Sequence, residues 1–149
     1  MTGVERELAQ GTVERLAALL AEEDDVEAGA LFGSAAAGRL GPESDVDVYV
    51  RLRRGASWPG ATVRRVEEAL AAVVRRDVHL VLEDEDDTSV ILRREVARTG
   101  TLLWEARPGA WTALKAAAMV AYADLEPWMR RCGEGVRQAA RTAVEAGRG

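Results

Sequence analysis

Apolar positions along this 149-residue chain change their spacing several times, and each change marks an element. In VERELAQGTVERLAALLAEEDD, Leu8, Val13, Leu16, Leu19 and Leu20 recur near helical intervals, which predicts an amphipathic helix over 4–25. Gly11 falls inside it and costs about 1 kcal/mol relative to alanine. VEAGALFG reads as a first strand stopped at Gly33, after which Ser34 caps a short turn of alanines that Gly38 ends. RLGPES is a turn, marked by Gly41-Pro42. The clearest strand is DVDVYVRL, where Val46, Val48 and Val50 alternate with Asp45, Asp47 and Tyr49.

Beyond the loop RRGASWPG, residues 61–76 carry Val63, Val66, Leu70, Val73 and Val74 on one helical stripe. DVHLVL is a third strand and EDEDD an acidic, solvated loop. Residues 88–99 form a helix capped by Thr88 or Ser89 and ended by Gly100. TLLWEA is a short fourth strand. A helical stretch from Trp111 is predicted to break near Pro127, with a second segment after CGEG. The pattern α-β-α-β-α-β-α-β-α describes one α/β (α+β) domain over 1–149, its core about 24–106 and its C-terminal helices about 109–147. We expect a small sheet with helices packed on one face and a C-terminal helical tail. The crossover between the second and third strands makes them parallel and brings their N-terminal ends together.

Composition narrows the class. Apolar residues are 48% of the chain and charged residues 30%, as in ordinary globular domains. No run of 18 apolar residues predicts a membrane span, and MTGVERELAQ lacks the profile of a secretion signal. The single cysteine, Cys132, excludes an internal disulfide and fits a reducing cytoplasm. A net charge of −5 argues against direct nucleic-acid binding through bulk charge. The arginine pairs, Arg75-Arg76 and Arg93-Arg94 among them, read as solvated helix faces.

Candidate chemistry concentrates in LFGSAAAGRLGPESDVDVYV, residues 31–50. Strand residues two apart share a face, with Cα atoms roughly 6.5–7 Å apart, so Asp45 and Asp47 present two carboxylates side by side. Unpaired they repel; a divalent cation removes the conflict, and Mg²⁺ is usually held by one or two carboxylates together with phosphate oxygens. Gly33 lets a phosphate approach the backbone, and Ser34 and nearby amides offer hydrogen bonds. Either half alone is a weak signal, a solvated strand end or an ordinary turn; together they describe a triphosphate–metal site.

GSAAAGRLGPESDVDV also resembles the G-S-x-A-R-G-x(5)-S-D-x-D motif of the minimal nucleotidyltransferases (MNT), small relatives of DNA polymerase beta. Gly33, Ser34, Ala36, Gly38, Ser44, Asp45 and Asp47 fall on its positions without a gap. Chain size and the stretch YADLEPW are most similar to the antitoxins paired with HEPN-domain ribonuclease toxins. The resemblance implies a polymerase-beta-like fold. It implies nucleotide contacts from Gly33, Ser34 and Ser44, and Mg²⁺ on Asp45 and Asp47. It further implies transfer of AMP from ATP to a tyrosine of a HEPN toxin partner. Self-association is compatible with it.

Two positions depart from the family pattern. Ala37 stands where the family has arginine, and Arg39 lies about 200° further round a helix. His79 stands in VHLV where the family places a third catalytic carboxylate. It is the chain's only histidine, and its other readings are a structural residue or a ligand favouring Mn²⁺. Asp77, two residues earlier on the same strand face, is a partial substitute; Glu83 lies about 13 Å further along. The alternatives are a weak or inactive module that neutralises its partner by binding alone, and a small-molecule nucleotidyltransferase of the aminoglycoside type. Trp104, Trp111, Tyr122 and Trp128 are expected to pack the C-terminal helices on the sheet.

Overall fold

The computed structural model describes residues 7–84 and 88–147. The elements are α1 (Gln10–Ala21), β1 (Val26–Phe32), α2 (Gly33–Ala36), β2 (Val46–Leu52), α3 (Gly60–Val74), β3 (Val78–Leu82), α4 (Val90–Thr99), β4 (Thr101–Glu105) and α5 (Ala110–Gly147). They form one mixed four-stranded sheet of order β3-β2-β1-β4. β2 and β3 are parallel, as the α3 crossover requires, while β1 runs antiparallel to both β2 and β4.

The alternation along β2 and β3 sorts their side chains. Val46, Val48, Val50 and Leu80 join Leu16 and Leu20 of α1 and Val66 and Leu70 of α3 in the larger core. Gly29 on β1 permits this close approach: a Cβ there would lie 2.5 Å from Leu20 Cδ1. Helix cover is not confined to that face. Val96 of α4 and Trp111 and Leu114 of α5 pack over Ala28, Ala30, Phe32 and Tyr49 in a second core. β1 is therefore covered on both sides, which is why its sequence is a run of small and apolar residues rather than an alternation.

Several local expectations change. α1 begins at Gln10 rather than near Val4, so Gly11 sits in its first turn, where it interrupts fewer helical bonds; residues 1–6 lie outside the described residues. Ser34 does not cap α2: the cap position is Phe32, no side chain bonds there, and Ser34 lies inside the turn. α5 is one helix of 38 residues with Pro127 inside it, not two segments. At about 1.5 Å per residue it spans about 57 Å, and only its first part packs on the domain. Trp111 is buried as expected, whereas Trp128 is 57% exposed. No helix among the described residues is long and apolar enough to cross a membrane.

The acidic loop also divides. Glu83 is not solvated: its side chain is 2% exposed and lies 3.3 Å from Arg51 Nε and 3.6 Å from Arg93 Nε. The Tyr49 hydroxyl donates to Glu83 Oε1 at 2.8 Å. Burial, and then the Glu83 carboxylate beside it, pushes the Tyr49 phenol far above its ordinary value. Arg93 is buried too, against the expectation of a solvated helix face. Asp84 is held through its amide by Thr88 Oγ1 at 2.8 Å; residues 85–87 lie outside the described residues.

Candidate active site

Sheet register assembles the site. Asp47 is the cross-strand partner of Phe32, the last residue of β1, and of His79 on β3. Gly33 follows Phe32, so the start of α2 lands directly on the Asp47 carboxylate. A Cβ at Gly33 would lie 2.6 Å from Asp47 Oδ2, and its φ of +65° belongs to the left-handed region. Both conditions demand glycine. The turn continues with Ala37 N donating to Gly33 O at 3.1 Å and Arg39 N to Ser34 O at 2.8 Å. Gly38, at φ +66°, ends it, as the sequence predicts.

On the other side of Asp47, His79 Nδ1 lies 3.4 Å from Asp47 Oδ1; the side chains are 64% and 27% exposed. The parallel crossover sets His79 next to the second aspartate, and its side chain is open to solvent. Phe32 and Tyr49 lie below on the same face, rings edge to face with centroids 6.1 Å apart. They give the carboxylate an apolar floor.

Asp45 is exposed one residue before β2. It shares an open cleft of about 790 Å³ with Ser44, Asp77, Glu68 and Arg75. Asp77 joins the two strands, its carbonyl accepting from Val46 N at 2.9 Å. The Ser44 hydroxyl accepts from Gly41 N at 2.8 Å, so in this structure it braces the loop that leads to Asp45. Arg76, read from sequence as solvated, donates through Nη1 to the carbonyls of Gly41 at 2.6 Å and Ser44 at 3.1 Å. No sequence signal marks that role, because the loop it binds is 32–35 residues away.

The donor set suits a hard cation shared with a ligand. Among the described residues no three His, Cys, Asp or Glu side chains converge as a self-sufficient metal group. Mg²⁺ rarely needs one, since phosphate oxygens and waters complete its shell. At Gly33, where any side chain would collide with Asp47, the backbone of the Gly-Ser turn lies against the carboxylate. Gly33, Asp47 and His79 lie together, while Asp45 lines the neighbouring cleft with Ser44 and Asp77; carboxylates of this kind suit a Mg²⁺ whose shell phosphate oxygens complete.

A family model described as polymerase beta, nucleotidyltransferase, matches residues 14–108, which run from α1 through the motif to β4. No curated protein matches the chain by sequence. Several solved structures share its fold. One is a chain from a toxin–antitoxin crystal structure with AMP-PNP, 21% identical, covering 87% of this chain and 99% of that chain at a TM-score of 0.70. A second is from a MntA–HepT toxin–antitoxin, 19% identical over 87% of this chain and 99% of that one, TM-score 0.68. A third is from a complex of a tri-AMPylated Shewanella oneidensis HEPN toxin with an MNT antitoxin, 19% identical over 86% and 98%, TM-score 0.68. With the motif, its register and the matched span in agreement, the chain belongs to the polymerase beta nucleotidyltransferase family.

Proposed function

We propose that the chain is an MNT antitoxin that transfers AMP from ATP to a hydroxyl of a partner protein in the cytoplasm and thereby neutralises it. The observation that carries this reading is the close approach of Gly33 to Asp47, which sets the Gly-Ser turn of the motif against one of its two carboxylates. Gly33 and Ser34 would hold the triphosphate, and Asp45 and Asp47 the Mg²⁺. Such a metal, when bound, neutralises phosphate charge and stabilises the attacking and leaving oxygens. The acceptor oxygen bonds to the α-phosphorus, its proton is released, the bond to the β-phosphate oxygen breaks and pyrophosphate leaves. The likeness to toxin–antitoxin chains, one of them with an AMPylated HEPN toxin, supports a HEPN toxin as partner; a tyrosine as acceptor is what the motif resemblance implies.

A second reading has its own observation. With His79 standing 3.4 Å from Asp47 where the family places a third carboxylate, the same fold would neutralise its partner by binding alone. One experiment separates the two: incubation with α-phosphate-labelled ATP, Mg²⁺ or Mn²⁺, and a HEPN toxin. The transfer reading expects label on the toxin, abolished in Asp45→Ala/Asp47→Ala. Inhibition of the toxin that survives the double substitution, with no label transferred, establishes the binding reading instead.

A further inference from the structure

Arg76 lies outside the motif, yet its guanidinium reaches into the loop that launches both aspartates. Residues 41–45 have no regular helix or strand. Within the loop, Gly41 N donates to Ser44 Oγ at 2.8 Å and Ser44 N to Gly41 O at 3.3 Å. Arg76 Nη1 then ties the carbonyls of Gly41 and Ser44 to the end of α3, at 2.6 and 3.1 Å.

The chain is bent to deliver this side chain. Arg75 closes α3 in the left-handed conformation, φ 55°, with its amide donating to Ala71 O at 2.8 Å. It is the only non-glycine residue with positive φ among those described. Such a conformation costs about 1–3 kcal/mol and persists where the surroundings over-determine it, commonly near functional sites. Here it turns the chain so that residue 76 faces the loop and residue 77 leads into β3. The same cleft holds Glu43, Asp45, Glu68 and Asp77, but no ion pair joins Arg76 to any of them among the described residues. Arg76 Nη1 bonds neutral carbonyl oxygens, so its contact is with the loop backbone rather than with a carboxylate that a cation would need.

We propose that Arg76 is a positioning residue: by clamping the carbonyls of residues 41 and 44 it fixes the geometry at which Asp45 and Asp47 hold a divalent cation. This rests on the nucleotidyltransferase reading of the site. Groups that hydrogen-bond a metal ligand directly are worth about 10–100-fold in metal affinity, and Arg76 acts one step further out, through the carbonyl that precedes Asp45.

The test measures Mn²⁺ binding by electron paramagnetic resonance in the presence of AMP-CPP, a non-hydrolysable ATP analogue. Wild type, Arg76→Met, Arg76→Lys and Asp45→Asn/Asp47→Asn are compared, with folding checked by circular dichroism. Arg76→Met is expected to weaken Mn²⁺ binding about 10-fold, the lower end of that range, in a folded protein. Arg76→Lys, which keeps one charged donor without the fork, is expected to lie between. Wild-type affinity in Arg76→Met overturns the inference; should that variant not fold, wild-type affinity in Arg76→Lys overturns it. Binding that the double asparagine variant abolishes while Arg76→Met retains removes only the role of Arg76. No binding by the wild type removes the site reading and this inference with it.

Discussion

At Gly33 one missing methyl group decides whether the Gly-Ser turn can close on Asp47. Alanine there meets Asp47 Oδ2 at 2.6 Å and carries a φ of +65°, so Gly33→Ala is expected to cost about 1–3 kcal/mol of stability, read by thermal melting, and to abolish nucleotide binding. His79 makes the opposite kind of prediction. It flanks Asp47 at 3.4 Å but brings no fixed negative charge, whereas Mg²⁺ favours oxygen ligands. His79→Asp restores a carboxylate in register with Asp47 and is expected to raise Mg²⁺-dependent label transfer; lower transfer would show that the imidazole itself serves the reaction. Asp45→Ala alone is expected to cut transfer on the order of 10²–10³-fold, the range for removing one group that stabilises developing charge.

Among the elements, β2 links the site to the buried charges at the far end of the sheet. Asp47 and Tyr49 share its face, and Tyr49 ends on Glu83, which also neutralises Arg51 and Arg93. Removing one partner of a buried pair leaves the other uncompensated, so Glu83→Ala is expected to lower unfolding free energy by about 3–5 kcal/mol in denaturant titrations. Tyr49 sets a pH dependence. Its phenol is raised in the folded state, so its contribution is fully present below the ordinary tyrosine range. As pH rises above that range the unfolded chain releases this proton first, and stability falls. Phenolate absorbance from Tyr49 should therefore appear only together with unfolding, and Tyr49→Phe should flatten the alkaline decline. The four strands and the crossover were legible because β2 and α3 carry clean periods of two and 3.6. Glu83 was not, because a charge run says nothing of the Arg51, Arg93 and Tyr49 that topology brings to its first member. α5 was misread at Pro127, since a proline there removes one helical bond but a long helix can tolerate the loss.

Across the whole molecule, the packed body ends early in α5. Residues 137–147 are all exposed, and a helix end without tertiary packing is held only by its own marginal propensity. Amide hydrogen exchange is expected to be orders of magnitude faster there than in β1, which is buried between the two cores; equal protection would mean that the distal helix is covered in solution. The candidate site was legible because its motif is contiguous in sequence. Its supports, the β1–β2–β3 register and the Arg76 clamp, are long-range and emerge only on folding. The proposed chemistry depends on that corner of the sheet. A crystal structure of the chain grown with AMP-CPP and Mg²⁺ tests it most directly. The triphosphate should lie against Gly33 and Ser34, with its cation on Asp45 and Asp47. Nucleotide bound elsewhere, or those two carboxylates free of metal at saturating ligand, would contradict it.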